Sequence, residues 1–412
     1  MTIIARTFLL TSLSSILLMV EPSGVMASEK IEIRTAAELH ELFSKRLESK
    51  DVYLLAGTFH LSPTNFTDST CGNCQELNTL VQATYGIRVR GRNIRIAGPD
   101  GKAAVIVTHA GYGIFFDGCA DCSIENVTIT GGARDTSGSA ADAAIVVKKS
   151  SLVISNNIIR DNIGDSATVA KTVVGIMGIC CRENSDVTIT NNEIIRNSWD
   201  GIALYREAVA KIENNVIDGV DKARGTQVGG GRGVAIGVTW NGKATIRNNL
   251  VTRYWKGIGL FVDAQGTVEG NIVEDILTWG ISYWDADKGR PVGFIRNNII
   301  YKTGACGASI TRSHEGERTG EFTGNIIVET GQNPKYDSPD YYCYQCALAL
   351  HAVPKSFVID DNLFHNNRRA TPDLPDNDVS LEQFLRVSQA KRKSLATIPQ
   401  FGKSIFLKDF GS

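Results

Sequence analysis

The sequence predicts an all-β chain that folds as a parallel β-solenoid, with three short strands in each coil and the coils stacked on one another. The shortest repeating unit runs from Asn249 to Asn271, is rich in β-branched residues, and has Gly, Asp or Asn at its turns. Such a unit cannot bury its own apolar face, so it needs a copy above and a copy below. The Asn that closes each unit recurs at Asn126, Asn157, Asn192, Asn215, Asn249, Asn271, Asn298, Asn325 and Asn362.

A second register follows each Asn and usually begins with Gly. Its strands read GIFF, GIAL or GIGL, with Gly, Pro or Asp nearby to end them. The register starts at Gly113, Ala144, Gly175, Gly201, Gly233, Gly257, Gly280, Gly307 and Cys346. Two registers that repeat in phase without a helical segment favour a three-sheet solenoid. We expect the recurring Asn residues to adopt left-handed turns and to bond one another in a buried ladder.

These motifs resemble those of right-handed parallel β-helix proteins of the pectate-lyase-like superfamily. The resemblance covers roughly residues 52–362 and is carried by segments such as ISNNIIR and IRNNIIY and by the G-I-x-L register. The resemblance implies a right-handed β-helix. Members of the superfamily include polysaccharide lyases, uronan epimerases, glycoside hydrolases and proteins without known chemistry. The D-P-H-D motif of alginate epimerases and the paired-Asp pattern of polygalacturonases are both missing. No catalytic residue can therefore be transferred from those families.

The first 27 residues have the three regions of a secretory signal peptide. Arg6 precedes the apolar run FLLTSLSSILLMV, and small residues lead to a cleavage site before Ser28. The run is too short to remain as a membrane span. We therefore expect a secreted or periplasmic protein with no membrane span after cleavage.

Both ends of the solenoid are predicted to carry helices. Residues 28–61 contain an amphipathic helix with Thr35 as N-cap and Glu38 three residues later, followed by the first strand. Residues 62–365 form the β-helix with its loop insertions. Residues 366–412 are a Pro-broken linker and a helix capped by Ser380, which we expect to cover the far end. A formal net charge of −1 argues against a nucleic-acid partner.

The nine cysteines are many for a reduced compartment, and most of them lie in close pairs. A zinc site is the alternative for the C-x-x-C pairs Cys71/Cys74 and Cys119/Cys122, but no His stands at ligand spacing beside them. Disulfides are therefore favoured, with Cys306 placed to bridge to Cys346 or Cys343. The disulfide candidates are Cys71, Cys74, Cys119, Cys122, Cys180, Cys181, Cys306, Cys343 and Cys346.

Stacking the second register predicts which side chains face outward. With the first residue of each register counted as zero, positions one and three are apolar and should face the core. Position four then faces out and holds Asp117, Lys148, Ile179, Tyr205, Gly237, Phe261, Trp284, Thr311 and Leu350. Position five holds Arg206, Val238, Val262, Asp285, Arg312 and His351 from the fourth coil onward. The outward Phe115, Val146, Met177 and Ile179 predict that a loop or a partner covers the early coils.

The predicted column of Asp285, Arg312 and His351 suits an acidic polysaccharide. Removing the proton next to a uronate carboxylate needs a base and cations that neutralise the carboxylate. We predict that Arg312 and Arg206 hold the carboxylate, that His351 is the base or acid, and that Asp285 orients its neighbours. The predicted substrate-binding residues are Tyr205, Phe261, Trp284, Tyr283, Lys288 and His314, with Glu315 close by.

Alternatives remain open at this stage. Asp285 and Arg312 also fit a buried structural pair. No cofactor is expected, although Asp263, Asp285 and Asp287 are candidate ligands for calcium. The function predicted is a lyase or C5-epimerase acting on a uronic-acid polymer, and the rival class is a non-catalytic glycan-binding or envelope scaffold. The sequence leaves the identity of the polymer and the oligomeric state open.

Overall fold

The strands wind into a parallel β-helix of three sheets, as the repeats predict. A computed structural model describes residues 28–172, 174–311, 320–336, 345–369 and 378–411. The predicted signal peptide lies outside the described residues. We call the three sheets the front, side and rear sheets, in the order in which most coils visit them. The strand Val81–Ala97 belongs to both the front and the side sheet, so these two sheets are joined at the early coils.

The front sheet continues with Tyr112–Ala120, Ala143–Lys148, Met177–Arg182, Ile202–Leu204, Val234–Val238, Lys256–Phe261, Trp279–Trp284, Cys306–Thr311 and Leu348–His351. The side sheet contains Glu29–Ile33, Leu47–Leu54, Cys122–Glu125, Ser151–Ser155, Asp186–Thr190, Val209–Glu213, Lys243–Arg247, Gln265–Glu269, Val292–Arg296, Gly320–Thr323 and Val358–Asp360. The rear sheet contains Gly57–His60, Ala104–Val107, Val127–Thr130, Ile158–Arg160, Glu193–Ile195, Val216–Asp218, Leu250–Thr252, Ile272–Ile276, Ile299–Thr303, Ile326–Val328 and Leu363–His365. The α-helices are α1 (Ala36–Phe43), α2 (Ser166–Thr172), α3 (Leu381–Ala396) and α4 (Ile405–Phe410), and short 3₁₀ turns lie at Asp100–Lys102, Pro334–Tyr336 and Pro399–Lys403.

The predicted asparagine ladder runs through the core from Asn157 to Asn362. Each side-chain amide donates to the Oδ1 of the next Asn, for example Asn249 to Asn271 at 3.0 Å. Two details of the prediction are wrong. The left-handed residue is the one before the ladder, such as Asn248 with φ 53°. Asn126 is one of these turn residues with φ 57°, and the ladder begins where Val127 N–H donates to Asn157 Oδ1 at 3.2 Å.

Replacing Asn249 with alanine is expected to lower the free energy of unfolding by about 1–3 kcal/mol. The change removes an amide that donates to Ile212 O at 2.9 Å and accepts from Asn215 at 3.0 Å, which leaves buried partners unsatisfied. Denaturant unfolding followed by circular dichroism measures the effect. Gln265→Ala, at an exposed position on the side sheet, is the matched control and should change the free energy by less than about 0.5 kcal/mol. Equal effects of the two changes would contradict a stabilising ladder.

The N-terminal helix α1 caps the first coils as predicted. Thr35 Oγ1 accepts from Glu38 N–H at 3.2 Å, while the Glu38 carboxylate accepts from Thr35 N–H at 3.3 Å. Leu39 and Phe43 are buried against the end of the core. One strand was not predicted. It spans Glu29–Ile33, precedes the helix and pairs in parallel with Leu47–Leu54.

Helix α3 forms where the sequence predicts it, whereas α4 was not predicted. Both pack along the outer face of the rear sheet, so the prediction that this part covers the far end of the solenoid is wrong. Ser380 caps α3 by accepting from Gln383 N–H at 3.2 Å. Buried Glu274 on the rear sheet accepts from Ile405 N–H and Phe406 N–H at 2.8 and 2.9 Å, which fixes the start of α4. Apolar residues from both sides form this interface, including Leu250, Ile272, Ile299, Tyr301, Phe384, Phe401 and Phe406.

A lid covers the outer face of the front sheet over the early coils. It consists of the antiparallel hairpin of Thr64–Asp68 with the start of Val81–Ala97, the loop between these strands, and residues 131–142. Phe115, Val146 and Met177 are buried beneath it, which confirms that the early coils are covered. Ile179 does not belong to this surface, since it lies in the core of the β-helix.

Two of the predicted disulfides are present, and they join Cys71 to Cys74 and Cys119 to Cys122. These two C-x-x-C pairs are therefore disulfides rather than zinc ligands. Cys180, Cys181, Cys306 and Cys346 are buried and form no disulfide, so the predicted bridge from Cys306 to Cys346 is wrong. Cys306 and Cys346 pack together on the front sheet, and Cys343 lies outside the described residues. Within the described part of the chain, no helix is both long enough and apolar enough to cross a bilayer.

Candidate functional site

The register of the front sheet differs from the predicted one in three coils. Ile179 pairs with Ile145, and Val238 pairs with Leu204, so both side chains face the core. His351 pairs with Thr311, a position-four residue, and not with Arg312 as predicted. Loop insertions before these strands move their first residue, so counting from the nearest Gly or Cys gave the wrong start. Gly237 and Leu350 were misplaced for the same reason, since Gly237 pairs with Ala203 and Leu350 pairs with Ile310.

Arg206 serves the lid, not a substrate carboxylate as predicted. All three of its guanidinium nitrogens donate to protein oxygens: Nε to Glu183 Oε1 at 2.8 Å, one terminal nitrogen to Cys71 O at 2.7 Å, and the other to Cys74 O. Arg206 is only 7 % exposed. Arg206 therefore fixes the disulfide loop of the lid to the front sheet.

Two further predicted residues are buried by the fold. Tyr283 lies in the core, and its hydroxyl donates to Pro291 O at 2.5 Å, so it does not face a ligand. Asp285 is buried in the turn that follows, where its carboxylate accepts from Asp287 N–H at 3.1 Å. Lys288 is exposed on that turn. The roles of Arg312 and His314 stay predictions, because both residues lie outside the described ranges.

Two of the predicted outward aromatic residues, Phe261 and Trp284, are neighbours and belong to a larger cluster. The rings of Phe261 and Trp284 lie 5.7 Å apart, and that of Trp279 lies 5.1 Å from Trp284. Lys256 projects among them: its Nζ is 4.2 Å from the Trp255 ring, 4.5 Å from Trp284, 5.3 Å from Trp279 and 5.7 Å from Phe261. We call these five residues the lysine cage. An ammonium over the faces of aromatic rings is attracted by their quadrupoles.

Small residues beneath these rings make room for them on the outer face of the sheet. A Cβ at Gly259 would collide with the ring of Phe261. Trp284 Nε1 donates to Ser309 Oγ at 2.9 Å, which orients the indole over the next strand. The cage is therefore a platform on the outer face of the front sheet, next to the edge of the lid.

Asp200 approaches the cage from the lid side and carries a shifted pKa. Its Oδ1 accepts from Val234 N–H at 2.6 Å, and Val234 pairs with Lys256 on the next strand. Burial raises the pKa of Asp200 to about 7, although the Val234 N–H and the Lys256 charge oppose that rise. Burial lowers the pKa of Lys256 to about 8, opposed by Asp200. A carboxyl and an amine that both titrate near neutrality are suited to proton transfer.

Tyr205 stands between Asp200 and the lid. It is buried, and its ring lies 5.0 Å from that of Trp240. Burial, and then the neighbouring Asp200 charge, raise the pKa of its hydroxyl well above the ordinary value, so the phenol stays protonated. Its predicted outward position is correct, but the lid and Trp240 cover most of the side chain.

Sequence reasoning missed Asp200, Lys256 and Trp279, although a signal was available. Each of them directly precedes the Gly that starts its register, at Gly201, Gly257 and Gly280. Stacking this position as well as positions four and five would have placed the three side chains in one column. Within the described ranges, no cluster of three or more His, Cys, Asp or Glu side chains is arranged to hold a metal ion.

Comparison with known families identifies the class of the protein. The family model described as "Right handed beta helix region" matches residues 62–236 and 177–338. The chain therefore belongs to this family of right-handed β-helix proteins. No curated protein sequence matches the chain significantly.

Several solved structures share the fold at low identity. The A-module of the mannuronan C-5 epimerase AlgE4 from Azotobacter vinelandii has a TM-score of 0.51 at 11 % identity, covering 84 % of this chain and 93 % of that one. An alginate lyase from Paenibacillus sp. str. FPU-7 gives 0.44 at 12 % identity, covering 85 % and 99 %. Pectate lyase Bsp165PelA from Bacillus sp. N165, in complex with trigalacturonate, gives 0.41 at 15 % identity, covering 92 % and 94 %. The first of these supports the β-helix architecture.

Proposed function

We propose that the protein is a lyase or C5-epimerase acting on a uronic-acid-containing polysaccharide, with the lysine cage as the centre of its site. The observation that carries the proposal is the half-buried Lys256 ammonium, held among four aromatic rings on an outer sheet face with Asp200 nearby. Aromatic faces stack on sugar rings, and the ammonium pairs with a sugar carboxylate. The epimerase AlgE4 is named for an activity of this kind, and its fold likeness agrees with the proposal.

The chemistry begins with removal of the proton on C5, next to the carboxylate. Asp200 in its ionised form accepts that proton, and Lys256 neutralises the carboxylate as negative charge moves onto it. In a lyase reaction the C4–O bond then breaks, a C4=C5 double bond forms, and the departing oxygen takes a proton. In an epimerase reaction a proton returns to C5 from the opposite face. Solvent water supplies the proton in either reaction, because the Tyr205 hydroxyl lies beside Asp200 and keeps its own proton at a pKa raised well above the ordinary value.

Export forms part of this proposal. Two disulfides lie in the described residues, and disulfides persist in oxidising compartments. Together with the predicted signal peptide they support a secreted or periplasmic protein, where an acidic polysaccharide would be met outside the cytosol.

Deuterium incorporation at C5 tests the proposal. Purified protein is incubated in heavy water with alginate, pectate and glycosaminoglycans, and the sugars are followed by NMR. We expect the C5 proton of one of these polymers to be lost, because both reactions remove it: an epimerase puts deuterium in its place, whereas a lyase leaves a C4=C5 double bond with a new H4 signal. Lys256→Ala protein, shown to be folded, is the control and should give neither change. A C5 proton that persists on every polymer with folded wild-type protein would contradict the proposal and favour the non-catalytic glycan-binding or scaffold class.

A further inference from the structure

A second concave surface lies where the disulfide loop of the lid meets the front sheet. Its volume is about 270 Å³, near the lower end of small-molecule sites at about 300 Å³, so it has room for roughly one sugar ring. We call it the acidic pocket. Its lining residues are Gln75, Leu77, Glu183, Asn184, Arg206, Glu207, Trp240, Asn241 and Asp263.

The pocket is built from stacked turns and has an aromatic wall. Glu183–Asn184, Arg206–Glu207 and Trp240–Asn241 occupy the same turn of successive coils, and all six residues have positive φ between 42° and 64°. Left-handed backbone is uncommon for Trp and Arg, and such residues cluster at functional sites. Trp240 is half-buried, which leaves part of its indole accessible for stacking on an apolar sugar face.

The charge of the pocket is opposite to that of the lysine cage. Three carboxylates line it, from Glu183, Glu207 and Asp263. Glu183 is paired with Arg206 at 2.5 Å and with Arg182 at 3.3 Å, which leaves Glu207 and Asp263 as the carboxylates that set the charge of the pocket. A uronate carboxylate would be repelled there. Hydroxyl groups or an ammonium would instead donate to the carboxylates of Glu207 and Asp263, while the amides of Asn184 and Asn241 offer both donors and acceptors.

The pocket and the cage are neighbours on the same face. Phe261 of the cage and Asp263 of the pocket are two residues apart on one coil. Tyr205 connects the two sites from the lid side, since its ring contacts Trp240 and it adjoins Asp200. Sugars joined by a glycosidic bond would therefore meet a cationic subsite and an anionic subsite in succession.

We propose that the acidic pocket is a second sugar subsite that takes a residue without a carboxylate, a neutral or an amino sugar, while the lysine cage takes a uronate. The substrate is then a mixed polymer in which uronate residues adjoin non-uronate sugars, and not a homouronan. This inference rests on the proposed function, because the cage is what assigns the uronate.

Tryptophan indole NMR tests the two subsites separately. The chain has five tryptophans, and only Trp240 lines the pocket, whereas Trp255, Trp279 and Trp284 belong to the cage. The ¹⁵N-labelled full-length protein is titrated with methyl glucoside, methyl glucosaminide and methyl glucuronide, and Trp240→Phe assigns the pocket signal. We expect the glucoside or glucosaminide to shift the Trp240 signal, and the glucuronide to shift the cage signals.

Charge reversal supplies the matched comparison. Glu207→Lys combined with Asp263→Lys should transfer the Trp240 response to the glucuronide, whereas Asp186→Lys, exposed on the side sheet, should leave the wild-type pattern. A Trp240 signal that ignores both non-uronate sugars, or that responds equally to glucuronide, overturns the inference while the cage response upholds the proposed function. Cage signals that ignore the glucuronide count against the proposed function and, with it, against the mixed polymer.

Discussion

Turnover is expected to fall by about 10²–10³-fold when Lys256 is replaced with alanine. In the proposed reaction its ammonium stabilises charge that develops on the sugar carboxylate only as C5 loses its proton, and one such group is worth this factor when it is removed. The initial rate at which the C5 proton is lost, measured on the polymer that reacts with wild-type protein, reports the fall. Lys243→Ala, which removes an exposed lysine from the side sheet, should retain the wild-type rate. An unchanged rate for Lys256→Ala would exclude the cage as the site.

The pH dependence of that rate follows from the two shifted groups. Burial raises the pKa of Asp200 to about 7, so its base form increases as the pH rises through 7. Burial lowers the pKa of Lys256 to about 8, so its ammonium is lost as the pH rises through 8. The profile should therefore be a narrow bell between these values. Lys256→Arg should extend the alkaline limb upward, because a guanidinium keeps its charge there. A structural role for Lys256 would not move that limb.

The regular part of the fold could be predicted because its causes are local or strictly periodic. A bare coil needs apolar residues on alternate positions and a turn residue at fixed intervals, and both patterns are visible between Asn249 and Asn271. The cap of α1 follows from Thr35 and Glu38 alone. The ladder follows from the recurrence of one amide residue at one place in each coil.

The site was harder to predict because it depends on register between coils. A loop of unknown path adds or removes residues before a strand, and a shift of one residue moves every side chain to the other face. His351 was displaced by one position in this way. Arg206 was placed on the correct strand end, but the sequence does not show that a loop more than 130 positions earlier supplies the carbonyl groups it binds.

The position of the C-terminal helices also could not be read from local pattern. The amphipathic face of α3 predicts that it packs on something apolar, and the end of the solenoid and the outer face of the rear sheet both qualify. The choice is made by rear-sheet residues such as Ile272, Ile299 and Tyr301, whose outward apolar side chains have to be covered, and by Glu274, which receives the first N–H groups of α4.

The lid is held down by a buried ion cluster, and breaking it should cost about 3–5 kcal/mol of unfolding free energy. Asp68 on the hairpin pairs with Arg182, with Lys148 at 2.6 Å, and accepts from the Tyr112 hydroxyl at 3.0 Å. The side chains of Asp68 and Arg182 are at most 1 % exposed. Asp68→Ala would bury Lys148 without its carboxylate and would leave Arg182 with Glu183, 3.3 Å away, as its remaining ion-pair partner. Asp51→Ala, which breaks a half-exposed pair with Arg95 at 2.6 Å, is the control and should cost less than about 1 kcal/mol.

Two readouts separate loss of the lid from general destabilisation. Cys180 is buried beneath the lid, so alkylation of its thiol should accelerate in Asp68→Ala protein while that of Cys181, in the core, stays slow. The free energy of unfolding should also depend on pH. Burial alone would raise the pKa of Asp68, but the Arg182 and Lys148 charges outweigh it and lower the pKa to about 2 from 3.8. The stabilisation is therefore complete above pH 4 and disappears as the pH falls toward 2, and only wild-type protein should show this step. Equal acid sensitivity of wild type and Asp68→Ala would show that the ion cluster does not hold the lid. Other contacts would then have to keep the lid on the front sheet.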